Sequence, residues 1–108
     1  STASLQGGPN IAPYVASKHG VLGLVRSVAH EVARKGITCN AVCPGITDTP
    51  LLRYHLNTTP NPDETLANRL RRVPLGTALQ PQDIARAVRY FSCEDSAGVT
   101  GTFLSRAK

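Results

Sequence analysis

Between Pro13 and about Lys35, apolar residues recur at helical spacing, and they do so around most of the circumference. Val15, Val21, Leu22, Leu24, Val25, Val28, Ala29 and Val32 do not fall on one stripe. A helix apolar on more than one side is buried on more than one side, so this segment should meet a sheet and also a partner surface. Pro13 suits the first turn, where its missing N–H costs nothing. Arg34 and Lys35 followed by Gly36 give a cationic last turn and a glycine stop. Gly20 and Gly23 lower helix propensity and are expected to mark close approach of another backbone. They are no dinucleotide fingerprint, because no strand precedes them and their spacing is wrong.

Elsewhere the pattern alternates. Residues 1–10, small, polar and Gly/Pro-rich, read as loop. "ITCNAVCPG", 37–45, reads as a buried strand ended by Pro-Gly. Residues 46–62 read as loop with a short helix near 50–56, and "DETLANRLRRV", 63–73, as a short amphipathic helix with acids first and arginines last. "QPQDIARAVRYFSCED" reads as another helix, with Pro81 in its first turn and Ile84, Ala85, Val88 and Phe91 on one face. "GVTGTFLS" reads as a short final strand. Helix and strand in succession is the order of a parallel α/β sheet. Two parallel strands alone are marginal, so the expected sheet is larger than the one these residues supply.

Composition narrows the classes. At 108 residues, 41% hydrophobic and 18% charged, the chain reads as one globular domain at most. No run nears the roughly 18 apolar residues of a membrane span, and "STASLQGGPN" holds neither an apolar run nor a basic leader, so no targeting peptide is expected. The net charge of +5 comes largely from nine arginines, scattered except for Arg69, Arg71 and Arg72. With aromatics at 5%, that disfavours a nucleic-acid surface, which would show a basic stripe with interleaved aromatics. Cys39, Cys43 and Cys93 lack metal-ligand spacing, and three scattered histidines add no zinc site. Cys39 and Cys43 would share one strand face. Free, buried thiols in a reducing cytoplasm are the expectation.

The chemistry concentrates in "YVASKHG", 14–20. Tyr14 and Lys18 stand four apart, so a helix puts both on one face, about 6 Å apart along its axis. A free phenol has a pKa near ~10 and exchanges its proton poorly at neutral pH. An ammonium about 5 Å away, at an effective dielectric near 20, favours the phenolate by roughly 3 kcal/mol. That moves the group toward general acid–base work. The bland alternative is an aromatic–aliphatic packing pair. His19, His30 and His55 read as surface or packing residues.

The stretch "YVASKHGVLGLVRSVAHEVARKGITCNAVCPGITDTP" resembles the short-chain dehydrogenase/reductase family without a gap, and the likeness continues through "QPQDIARAVRYFSCEDSAGVTG". It implies the carboxyl-terminal part (1–108) of a doubly wound, Rossmann-type NAD(P)-binding domain, with a substrate loop over 50–80. It implies hydride transfer between a nicotinamide cofactor, NAD or NADP, and a small alcohol or ketone. Tyr14 takes the position of the family's acid/base. Lys18 takes that of the lysine that assists it and holds the nicotinamide ribose. Ser1, thirteen positions before the tyrosine, matches the serine that steadies the substrate oxygen, with Ser4 its neighbour in an altered register. Pro44 and Gly45 shape the cofactor turn, and Thr47 and Thr49 match positions on the carboxamide and phosphate side. Thr49 serves equally as a cap for a helix starting near Pro50.

A homo-oligomer, dimer or tetramer, is the expectation for the intact enzyme. The family's glycine-rich first turn, its NAD/NADP-selecting residue and its active-site asparagine find no match in these residues. The ending "FLSRAK" departs from the family's strand into Asp-Gly-Gly. A carboxyl-terminal portion, inactive by itself, is the expectation. Two other readings stand beside it: a catalytically silent remnant or helix-mediated interaction module, and an unrelated basic binding domain. In the flap over the substrate, Leu51, Leu52, Tyr54 and Leu56 should supply an apolar lining, with Arg53 and His55 free for polar contacts.

Overall fold

A computed structural model describes residues 1–106; Ala107 and Lys108, the last two residues of "FLSRAK", lie outside the described residues. The elements in order are α1 (Ala12–Val32), β1 (Ala41–Pro44), α2 (Pro50–Asn57), α3 (Pro62–Leu70), α4 (Pro81–Phe91) and β2 (Phe103–Arg106). Short 3₁₀ turns lie at Thr2–Ser4, Ala33–Lys35 and Glu94–Ser96. Each α-helix carries a proline in its first turn, where the ring fixes φ and no intrahelical donor is lost. Gly36 ends the first helical stretch in the left-handed conformation, φ 72°, as its glycine stop predicts.

β1 and β2 pair in parallel, Ala41 opposite Phe103 and Pro44 opposite Arg106. The strand expected over 37–45 is thus shorter: ahead of Ala41 one backbone bond crosses, Gly101 N–H to the Cys39 carbonyl at 2.8 Å, and the other links run through side chains. Cys39 N–H donates to the Thr100 hydroxyl. The Asn40 amide donates to the Val99 carbonyl at 2.8 Å, while its oxygen accepts from Thr102 N–H at 3.2 Å. At the far end Gly45 N–H donates to the Arg106 carbonyl at 3.0 Å. Beyond the strand, a single parallel bridge joins Thr47 to Leu79.

The 3₁₀ turn Thr2–Ser4, inside the expected loop, packs against both α1 and β1; α4 lies on β1, and α2 packs on α3. The buried apolar residues are few and mostly small, with Leu22, Leu56 and Leu79 the large ones. Accessible surface reaches 7438 Å², against about 5800 Å² for a compact chain of this mass. The radius of gyration is 15.9 Å, against about 13 Å for a self-contained domain of this length. Within the described residues the sheet has two strands.

Several expectations are corrected. On α1 only Leu22 and Ala29 are buried, whereas Val21 and Leu24 are 53% and 62% exposed; the chain covers one side of this helix only. Nothing stands within 4 Å of a Cβ built on Gly20 or Gly23. The close approach comes at Gly101 instead, φ 69°, where a Cβ would stand 3.4 Å from that of Ala29. On α4 the inward face runs through Ile84, Ala87 and Phe91, while Ala85 and Val88 face out. Cys43 is buried, Cys39 half-buried and Cys93 exposed, so the thiols do not share a buried setting, and Cys39 precedes the strand. Among the described residues, no helix is long and apolar enough to cross a membrane.

Leu56, 2% exposed, sits on the inner face of α2, while Leu51 on the same helix is 65% exposed. We predict that Leu56→Ala lowers stability by about 2–4 kcal/mol, whereas Leu51→Ala changes it by less than about 0.5 kcal/mol. Urea unfolding of the two variants of this chain side by side checks the contrast.

Asp48 and Arg53 form a two-pronged ion pair, with Nε and Nη2 donating to the two carboxylate oxygens at 2.8 and 2.7 Å. The hydrogen bond from Arg53 holds the Asp48 carboxyl below its usual range, against a smaller opposing effect of desolvation. A carboxyl whose folded pKa is depressed contributes stability above its unfolded pKa and loses it as pH falls through the folded value. Asp48→Asn should therefore flatten the acid limb of the stability profile below about pH 4 and leave the neutral region little changed, since the pair is exposed. Thermal melts between acid and neutral pH measure this.

Candidate active site

The first turn of α1 presents Tyr14 half-exposed at 48%. One turn on, the Lys18 ammonium stands over the Tyr14 ring, Nζ 5.3 Å from its centroid. That is within the reach of a cation–π contact, and it keeps a positive charge beside the phenol. The Ser17 hydroxyl donates to the Tyr14 carbonyl at 2.7 Å. His19 turns its ring back to the Val15 carbonyl, Nδ1 3.0 Å away.

Ser1 caps the 3₁₀ turn that packs on α1. Its Oγ accepts from Ala3 N–H at 3.1 Å, which leaves the hydroxyl proton free to donate. The turn that Ser1 caps packs on both α1 and β1. Ser4 is buried and lies on the inner side of the same turn.

β1 delivers the second group. After Pro44 the chain turns at Gly45, and the Thr47 hydroxyl donates to the Gly45 carbonyl at 3.1 Å. The Thr47–Leu79 bridge is made by its neighbours: Leu79 N–H donates to Ile46 and Asp48 N–H to Leu79, each at 2.8 Å. In a parallel bridge of this form the N–H and C=O of Thr47 itself point the other way. The Thr49 hydroxyl oxygen accepts from Leu52 N–H at 3.2 Å, capping α2, and its own proton remains available.

A cleft of about 640 Å³ opens between the Thr2–Ser4 turn, the Gly45–Ile46 turn and α3 with its following segment. Tyr14 and Lys18 do not line it; Thr2, next to Ser1, connects the two regions. The apolar lining expected from α2 is not found there. Leu56 is spent on packing, Leu51 and Tyr54 face solvent, and Arg53 is committed to Asp48. The wall is supplied instead by Thr65, Asn68, Arg69 and Arg72 on and after α3, with Val73 and Pro74. Sequence reasoning missed this wall, although the arginine cluster at 69–72 was its visible sign.

Comparison with known proteins identifies the family and the fold. A family model described as "Enoyl-(Acyl carrier protein) reductase" matches residues 1–105. A candidate ketoacyl reductase of the granaticin polyketide synthase from Streptomyces violaceoruber is 41% identical over 110 residues, covering 97% of this chain and 40% of that protein. Dehydrogenase/reductase SDR family member 6 of Xenopus laevis is 37% identical over 99 residues, covering 92% of this chain and 40% of that one. Among solved structures, an F189W actinorhodin polyketide ketoreductase with NADPH superposes with a TM-score of 0.89 at 39% identity, over 99% of this chain and 43% of its own. The chain thus spans about two fifths of the length of these relatives. The chain belongs to the short-chain dehydrogenase/reductase family.

Proposed function

We propose that this chain supplies the acid/base helix and substrate wall of a nicotinamide-dependent oxidoreductase that interconverts a carbonyl and an alcohol. The observation that carries the reading is the Lys18 ammonium held 5.3 Å from the centre of the Tyr14 ring, beside the Ser1 turn.

The residues fit an NAD or NADP cofactor. The outward-turned backbone groups of Thr47 suit a carboxamide, the free proton of the Thr49 hydroxyl suits a phosphate, and Pro44 and Gly45 hold both in place. Lys18 and Tyr14 would face the nicotinamide ribose. When bound, the nicotinamide gives a hydride to a carbonyl carbon or takes one from an alcohol carbon. In reduction, the Tyr14 hydroxyl gives its proton to the carbonyl oxygen; in oxidation, its phenolate takes that proton back. The Lys18 ammonium lies over the Tyr14 ring, and the Ser1 hydroxyl donates to the substrate oxygen. The cytoplasm is the compartment that suits the free thiols.

These 108 residues are expected to be inactive alone. A productive pose accounts for roughly 7–11 kcal/mol of such a barrier, and the phosphate-cradling turn that would fix the cofactor lies elsewhere in a Rossmann-type sheet.

In the intact enzyme, Tyr14→Phe should reduce turnover by at least about 10²-fold and leave cofactor affinity near that of the parent. Steady-state kinetics paired with cofactor titration reads both, and near-normal turnover would sink the acid/base assignment.

A second reading, association through α1, is favoured by its uncovered side. Val21 and Leu24 are more than half exposed, and nothing approaches Gly20 or Gly23. We propose that this side meets a second copy, giving a homo-oligomer. Sedimentation of the intact enzyme should give a dimer or tetramer, and Leu24→Glu should shift it toward monomer; a clean monomer at micromolar concentration counts against the idea.

A further inference from the structure

The cleft beside the proposed reaction centre has a strongly one-signed wall. Arg69 and Arg72 lie three apart, at the end of α3 and just beyond it, and both line the cleft with Asn68 and Thr65. Thr2 and Gln6 face them from the opposite side. No Asp or Glu lines this space. Among the described residues the ion pairs are Arg53–Asp48 and Arg86–Asp83, so neither cleft arginine is neutralised by a carboxylate. The acids of α3, Asp63 and Glu64, sit in its first turn, at the other end of the helix. Gly45, Ile46, Val73 and Pro74 complete the lining with apolar surface.

Arg69 and Arg72, both exposed to solvent, line a cleft of about 640 Å³ with Asn68, Thr65 and Thr2; such a set suits an oxyanion, because the guanidinium fork matches a carboxylate or phosphate with paired hydrogen bonds. The apolar residues beside it suit a short hydrocarbon spacer. We infer that the substrate carries an anionic group, a carboxylate or phosphate, held by Arg69 and Arg72 at a distance from the carbonyl that reacts. This inference rests on the oxidoreductase reading and names the substrate class for it. The arginines work as binding groups remote from the chemistry. Their interaction with the substrate anion positions the carbonyl toward Tyr14.

The test uses the full-length enzyme and a series of oxo-carboxylates of increasing chain length, each beside its methyl ester, with the matching oxo-alkyl phosphates as a second arm. The acids should exceed their esters in kcat/KM by at least about tenfold, the worth of one charge-assisted hydrogen-bonded pair. The advantage should shrink as salt rises. In the Arg69→Gln/Arg72→Gln variant the acid-to-ester ratio should fall to near one, and in the Arg69→Lys/Arg72→Lys variant it should recover in part. Whichever arm, carboxylate or phosphate, gives the larger ratio identifies the anion.

Calorimetry of the same ligands with the Tyr14→Phe enzyme supplies a readout free of turnover, because Tyr14 is not among the residues that would hold the anion. Tighter binding of the acid than of its ester there, lost in the paired glutamine variant, supports the assignment. Equal binding of acid and ester, or a preference that survives loss of both arginines, overturns it. A failure of the Tyr14 reading would appear separately, as turnover that persists in Tyr14→Phe.

Discussion

Two parallel strands of four residues have little reason to stay paired in water, and yet the placement of every candidate site residue depends on that pairing. The ladder is closed at both ends by bonds outside the strands. The Asn40 side chain grips Val99 and Thr102 on one side, and Gly45 donates to Arg106 on the other. That side-chain amide, donor and acceptor at once, works beside the backbone bond from Gly101 to the Cys39 carbonyl. Because this pairing holds, β1 ends at Pro44, and the turn after it carries Thr47 and Thr49 to one end of the sheet. The Thr2–Ser4 turn that Ser1 caps packs on both α1 and the same strand.

Charge is partitioned across this end. On one side a single ammonium lies over a phenol ring, a setting that handles one proton. On the other, two arginines face a polar wall with no acid between them, a setting that handles an anion. Between them the Asp48–Arg53 pair ties the turn after β1 to α2, removing one arginine and one carboxylate from the field that a ligand would meet. Arg53 and Arg69 are alike in the sequence and opposite in use; the difference is whether a carboxylate lies in reach.

What was legible followed from local rules. Pro13, Pro50 and Pro81 marked three helix starts, Gly36 marked a stop, and the Tyr14–Lys18 spacing needed only the pitch of a helix. The order of helices and strands followed from alternation of pattern. What was not legible depended on partners far away in the chain. Asn40 reads as a polar interruption until Val99 and Thr102 arrive beside it. Gly101, which falls within the expected final strand, is where α1 comes close, whereas Gly20 and Gly23, the expected points of contact, meet nothing in this chain. The substrate wall was sought on α2 because its leucines and tyrosine are apolar, but Leu56 is consumed by packing on α3, and the cleft is lined by α3 instead. Hydrophobic pattern identifies a buried face without saying which neighbour buries it.

The bridge between Thr47 and Leu79 has a consequence for how such a protein changes over time. It fastens the two ends of the segment 48–78 together at a neck, so that α2 and α3 leave the sheet and return to it at one point. Such an excursion is a cassette. Closing a loop of this kind costs only slowly more as it lengthens, roughly 0.6 kcal/mol per doubling, so residues can be added, removed or exchanged beyond the neck while the strand register on the near side is left alone. The wall proposed to bind the ligand is carried by the exchangeable part, and the proposed acid/base pair by the fixed part. Selectivity can drift within such a fold without the chemistry having to be invented again.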